Sequence, residues 1–294
     1  MIRANRRVRE RLTVAAFLAP TLLLYVTFIL SPLVEGLALS FFDAGLGPVR
    51  KFIGLENFIR LTRDERFLRG LMNTGYLVGG LVPLALTLSL TIALLIHPMR
   101  GKAQSFYRLA FYLPGVAGGT ILALVWAWIY NPTYGLLNWF TGKFGIAPIA
   151  WTGSTEWALP ALGLVVLTWI LGQPIILFLA GLSSIPAELM EAGRLDGAGP
   201  ATLLRRIQLP LLKPTTLFVL VTQTIGAMQI FVVVHVLTRG GPANATQTLV
   251  YRIYETVFDA TEYGYASAMG VVLLGLIAGI AAIQFRLLGR EVDY

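Results

Sequence analysis

Residues 191 to 210 read EAGRLDGAGPATLLRRIQLP, a polar island between two long apolar segments. Just upstream, Pro186 suits the first turn of a helix, where its missing N–H costs nothing. Glu188 then lies near the positive N-terminal end of that helix. Leu189, Met190, Ala192 and Leu195 give residues 187–195 a short apolar face. Gly197 and Gly199 allow a sharp turn, and Pro200 opens a second short helix that ends near Arg206. The segment predicts a rigid helical hairpin that can transmit a push without bending. Glu191, Arg194, Asp196, Arg205 and Arg206 are free to pair with another protein's surface or with solvent.

What flanks this island decides the fold class. The 294-residue chain is 56% hydrophobic and only 13% charged, with a mean hydropathy of +0.72. A soluble domain carries about 25% charged residues. Long apolar runs with almost no charge call for lipid rather than a globular core. Six segments qualify as membrane spans: about 13–40, 71–96, 104–130, 158–182, 212–237 and 265–288. Each is long enough for a hydrocarbon core about 30 Å thick. Their apolar residues do not alternate and the runs are too long for barrel strands, so the spans are helical. The first reads as a retained span, because its apolar run is too long for a signal peptide and no small-residue cleavage site follows. The expectation is an all-α, polytopic membrane protein with a tail at 1–12, a membrane domain at 13–294 and a hairpin loop at 184–211.

Positive charge orients the chain. Arg3, Arg6, Arg7, Arg9 and Arg11 precede span 1, and Arg100, Lys102 and Arg108 follow span 2. Arg194, Arg205, Arg206 and Lys213 flank the hairpin, and Arg286 and Arg290 lie at the C-terminal end. That side holds 14 of the 23 Lys and Arg residues. Both termini and the 184–211 loop are therefore expected to be cytoplasmic. The net charge of +8 is positive-inside bias rather than a nucleic-acid footprint. On the other side, residues 54–70 place Leu55, Phe58, Ile59, Phe67 and Leu68 among charges. They read as a short amphipathic helix on the outer membrane face, most simply a packing brace. Residues 131–157, rich in Gly and Pro, read as an external loop.

The order Glu191-Ala192-Gly193, Gly197, Ile207-Gln208-Leu209-Pro210 resembles the cytoplasmic EAA loop of ABC importer permeases, with Gly193 where that family usually has Ala. Further resemblance lies in Tyr112-Leu113-Pro114, Trp126-Ala127-Trp128, Asn131-Pro132 with Gly135-Leu136-Leu137-Asn138, residues 238–249 (TRGGPANATQTL) and Gly264-Tyr265-Ala266-Ser267-Ala268. Together they are similar to the first permease subunit of carbohydrate importers of the maltose, trehalose and glycerol-phosphate type. The resemblance implies the type I importer permease fold and a sugar path formed by alternating access with a second permease subunit. It also implies a dimer of ATPase subunits docked on Glu191, Ala192, Gly193, Asp196, Gly197, Ile207, Leu209 and Pro210, and an extracytoplasmic sugar-binding protein. ATP and Mg would be bound by the partner ATPase, with no cofactor in this chain. It implies sugar contacts after the Leu-Pro of span 3, at the kink of span 4 and in the middle of span 5. Those positions are Gly115 and Gly119; Leu171, Gly172 and Gln173; and Gln223, Ala227 and Ile230.

The residues themselves bear on these expectations. No G-x-x-x-x-G-K-[ST] phosphate loop occurs, so the energy source is expected on another chain. Without cysteine, thiol catalysis and thiolate metal sites are excluded, and His97 and His235 are the only histidines. A proton-coupled transporter would use buried Asp, Glu or His relays, yet the one carboxylate within a span is Glu35, close to its outer end. A membrane-embedded enzyme would need a catalytic constellation at one depth, and none is visible. Gln173, Gln223, Thr224 and Gln229 are intramembrane polar groups that either line a path or glue helices together. A permease for a non-sugar solute remains the alternative within the ABC class.

Overall fold

A computed structural model describes the backbone over residues 2–289 and side chains from Thr13 onward. It divides into two compact units, residues 1–63 with 253–272 and residues 64–252 with 273–294.

The first unit opens with α1 (Ile2–Tyr25), which runs through a π-helical turn at Val26–Leu30 into α2 (Ser31–Leu39). The backbone of residues 2–12 is helical and continuous with span 1. Pro32 sits in the first turn of α2, next to the π turn, a usual accompaniment of a disturbed helix ladder. A minimal antiparallel ladder follows, β1 (Phe42–Asp43) on β2 (Lys51–Phe52), with Phe42 opposite Phe52. The short α3 (Glu56–Leu61) closes it. Buried Asn57 donates to the Ser40 and Phe42 carbonyls at 2.9 and 3.0 Å, so this corner is a brace. Arg60 pairs with Glu262 at 2.7 Å and stacks its guanidinium 3.9 Å from the Tyr265 ring centre.

The second unit holds the helical bundle. Its helices are α4 (Glu65–Ile96), α5 (Lys102–Ala117), α6 (Gly119–Ile129), α7 (Leu136–Gly142), α8 (Ala158–Ile170) and α9 (Gly172–Ser183). The hairpin helices α10 (Ala187–Leu195) and α11 (Pro200–Leu203) come next, and a π turn at Leu204–Gln208 leads into α12 (Leu209–Leu211). Then come α13 (Lys213–Met228) and α14 (Val232–Leu237); α15 (Leu249–Phe258) and α16 (Tyr263–Leu288) each belong partly to one unit and partly to the other. α4 packs against α9 and α13, α5 against α9, and α14 against α6. Ala93, Ile96, Ile175, Phe178, Leu179, Leu182, Leu212 and Val219 form a fully buried apolar cluster where α4, α9 and α13 meet.

Four stretches cross a membrane by length and composition alone: Thr13–Leu39, Glu65–Ile96, Lys213–Leu237 and Tyr263–Leu288. Two bent pairs supply the rest, α5 with α6 at 99° and α8 with α9 at 43°, so six spans result if each pair is one span. Two expectations need correction. Residues 65–70 are not part of a surface helix: they are the first turns of α4, with Phe67 and Gly70 buried. Asp64 caps that helix, accepting from the Arg66 and Phe67 N–H groups, which fixes its start six residues earlier than hydropathy suggests. Span 3 is not one straight helix, because Gly118 takes φ +81 and ψ 152 between α5 and α6. That conformation is open to glycine and strained for other residues. The C-terminal charges Arg290, Glu291 and Asp293 lie outside the described residues.

Candidate functional site

Three spans break at neighbouring points, and a cavity of about 460 Å³ opens there. α5 and α6 break at Gly118, α8 and α9 at Leu171, and α13 and α14 at residues 229–231. Irregular backbone at membrane depth is tolerated where it is buried in protein or lines a cavity. The wall is formed by Tyr112, Gly115 and Val116 of α5, Val166, Trp169 and Ile170 of α8, and Gln173 of α9. Thr222, Gln223 and Gly226 of α13, the break residues Gln229, Ile230 and Phe231, and Val232 of α14 complete it. None of these fourteen side chains carries a charge. Three amides, a threonine and the edges of a Trp and a Tyr supply the polarity.

Of the residues expected in the path, Gly115, Gln173, Gln223 and Ile230 share this wall. Gly119, Leu171, Gly172 and Ala227 are not on it. Gly119 is buried under Trp169, whose ring would lie 2.9 Å from an added Cβ. Gly172 packs against the α5 backbone, where a Cβ would meet the Phe111 carbonyl at 2.5 Å. Both positions let helices approach closely and place the Trp169 indole and the α5 break. Leu171 is the bend itself, and Ala227 is buried in packing at 2% exposure. Gln223 is partly committed: its amide N–H donates to the Ile170 carbonyl at 3.3 Å, satisfying an acceptor at the span 4 break. Gln173 and Gln229 remain exposed. Thr224 does not reach the wall; it bonds within α13 and accepts from Gln284 Nε2 at 2.7 Å. His235 stacks on Phe231 with ring centres 5.3 Å apart.

Sequence reasoning does not assign Trp169, Thr222 or Phe231 to the path. Side-chain direction near a helix break depends on the break, which hydropathy does not see. Trp169 had one local signal, its position just before Leu171-Gly172-Gln173-Pro174.

The second candidate site is the hairpin. Pro186 is its N-cap, with ψ 133, rather than a first-turn residue. α10 ends in a Schellman turn: the Ala198 N–H donates to the Gly193 carbonyl at 2.9 Å and the Gly197 N–H to the Arg194 carbonyl at 3.0 Å. Gly197 takes φ +80 there. Gly199, by contrast, is extended at φ −72 and ψ 169 and precedes α11 as its N-cap, so the sharp turn belongs to Gly197 alone. The second helix does not stop near Arg206. It runs on through the π turn and α12, with Ile207 in the turn and Leu209 and Pro210 beyond it, to the start of α13. Gly193 faces Leu203 and Ile207, whose methyls would lie 2.7 and 2.9 Å from an added Cβ, so the two arms touch at this glycine. Glu191, Ala192, Asp196 and Leu195 face outward, and Leu195 is 89% exposed. An exposed leucine beside carboxylates at a hairpin tip suits insertion into a partner's cleft. Among the described residues no group of His, Cys, Asp or Glu is arranged to hold a metal.

The profile described as "Binding-protein-dependent transport system inner membrane component" matches residues 65–294. The diacetylchitobiose uptake system permease protein NgcF of Streptomyces coelicolor is 33% identical over 96% of this chain and 86% of its own length. The sulfoquinovosyl glycerol transport system permease protein SmoG of Agrobacterium fabrum is 32% identical over 95% and 91%. The sn-glycerol-3-phosphate permease UgpA of Pectobacterium atrosepticum is 33% identical over 94% and 93%. In fold, the chain superposes with a TM-score of 0.86 on a chain of a bacterial ABC transporter involved in alginate import, at 23% identity, covering 99% of this chain and 100% of that one. A second alginate transporter structure, in complex with an alginate pentasaccharide-bound periplasmic protein, gives a TM-score of 0.84 at 22% identity, covering 96% of each chain.

Proposed function

The chain belongs to the family of inner membrane components of binding-protein-dependent transport systems, and from that premise we propose that it forms part of the path of an ATP-driven importer of neutral saccharides. As a permease subunit of an ABC transporter it is non-catalytic, and its ATPase is a separate subunit. The observation that carries the saccharide reading is the uncharged cavity at the three helix breaks. Amides donate and accept at once, which matches hydroxyl groups without demanding a charge. Trp169 and Tyr112 add apolar ring surface for the C–H face of a sugar. A phosphate or carboxylate buried here would find no cationic partner in this wall, and an unpaired buried charge is costly.

In this reading the hairpin at 184–211 docks a dimer of ATPases, which bind ATP and Mg. A second permease subunit completes the enclosure and an extracytoplasmic binding protein delivers the solute. Both termini are placed in the cytoplasm in this reading, which the 14 Lys and Arg on that side support. The relative named for diacetylchitobiose uptake supports a neutral sugar, whereas those named for sulfoquinovosyl glycerol and sn-glycerol-3-phosphate uptake handle anionic solutes, so the neutral class rests on the wall itself. A secondary transporter is disfavoured by the uncharged wall, which offers no carboxylate or histidine to carry a proton.

The test is to isolate the chain in mild detergent and identify what accompanies it. The partner binding protein is then titrated with a panel of neutral di- and oligosaccharides and their phosphorylated or uronic counterparts. A second permease, an ATPase and binding confined to neutral sugars are the expected outcome. Preference for the anionic members would overturn the solute class, and absence of an ATPase would overturn the assembly.

A further inference from the structure

We propose that Thr248 is a positioning residue for the cavity, holding open the break in span 5 from outside the span; the proposal rests on the reading of the cavity as a path. The break at residues 229–231 contains neither Pro nor Gly, so its own sequence does not dictate it. Something must satisfy the carbonyl that the interrupted ladder releases. The Thr248 hydroxyl does so, donating to the Ile230 carbonyl at 3.0 Å. Thr248 is 2% exposed and lies eighteen residues along the chain, in the loop before α15. Its oxygen also accepts from the Tyr251 N–H at 3.3 Å, capping α15.

The loop that presents Thr248 is itself fixed. Asn73 of α4 donates to the Asn244 and Gln247 carbonyls at 3.2 and 2.9 Å, and Thr74 accepts from the Leu249 N–H at 3.0 Å. Thr246 donates to the Gly241 carbonyl, and Thr246 and Gln247 are fully buried. Arg252 and Asp64, each about 15% exposed, pair at 3.0 Å beside it. One hydroxyl thus links a rigid loop anchored on α4 to the backbone that carries Gln229, Ile230 and Phe231 into the wall. With the Ile230 carbonyl taken by Thr248, the break keeps its shape whether or not a solute is present. Closing the break into continuous helix would require withdrawing that hydroxyl.

The chain has no cysteine, so a single introduced thiol reports without background. Gln229→Cys, exposed on the wall, is labelled with a small hydrophilic methanethiosulfonate in membranes containing the full chain. The label is read in three backgrounds: Thr248, Thr248→Ser and Thr248→Val. Thr155→Cys, exposed in the loop before α8, is the control. The expected result is a labelling rate in the Val background changed about three- to tenfold, the weight of one hydrogen bond, restored by Ser, with the control unchanged. Equal rates in the Thr and Val backgrounds would overturn the proposal. So would a parallel change at Thr155→Cys, because that marks general loosening. A Gln229→Cys that fails to label even beside native Thr248 would refute the water-filled path itself, and the proposal with it.

Discussion

Gly197 shows how much one residue decides at the hairpin. An added Cβ would meet nothing within 4 Å, so its side chain is not excluded by space. The constraint is φ +80 alone. Asn tolerates that region, whereas a β-branched residue there is a true outlier costing about 1–2 kcal/mol. Gly197→Asn is expected to keep coupled uptake. Gly197→Val is expected to reach the membrane but lower ATP-coupled uptake about tenfold, since about 1.4 kcal/mol is one decade. ATPase co-purification and uptake measured on both variants check this, and equal uptake would show that the turn does not need its left-handed residue. The same scale shows what the sequence discloses. The Leu-Asp-Gly-Ala run announces a helix end, because Gly at that position is the usual left-handed cap. Gly199 misleads, because its glycine serves an extended N-cap rather than a turn. Gly193 in place of Ala is explained only by three-dimensional contact, with Leu203 and Ile207 closing over it.

At the scale of elements, the broken spans matter more than the intact ones. Hydropathy finds the four continuous stretches and both bent pairs, but misses the first six residues of α4, since it measures only composition and length. It cannot find the 99° turn at Gly118, nor the break at 229–231 that Thr248 supports. Half of the expected path residues therefore fall on the wall, and half fall behind it as packing that shapes the wall. Gln173 and Gln223 separate path from glue. Gln223 bonds to the Ile170 carbonyl, so Gln223→Leu removes a helix–helix tie as well as a wall amide. Gln173, exposed to the cavity, forms no such tie between helices and should act on solute alone. Gln173→Leu is expected to raise the KM for saccharide with assembly and basal ATPase unchanged. Gln223→Leu is expected to lower the melting temperature as well, by the few degrees that about 1 kcal/mol brings in a chain of this size. Transport kinetics and thermal scans on the two reconstituted variants check this. An unchanged KM in Gln173→Leu would remove that residue from the path.

At the scale of the whole molecule, the sequence carries no phosphate loop, and the uncharged cavity at the helix breaks is lined by residues on either side of the hairpin that would receive the push. The account divides the work accordingly: this chain shapes the path, and separate ATPases move it. The measurement that bears most directly on that division is solute accumulation in proteoliposomes holding the intact complex. They would be given the binding protein outside, a neutral disaccharide chosen from the binding panel, and ATP with Mg sealed inside. The account predicts accumulation that requires internal ATP, requires the binding protein, and ignores an imposed pH gradient. Uptake that proceeds without ATP, or that follows the pH gradient, would contradict it.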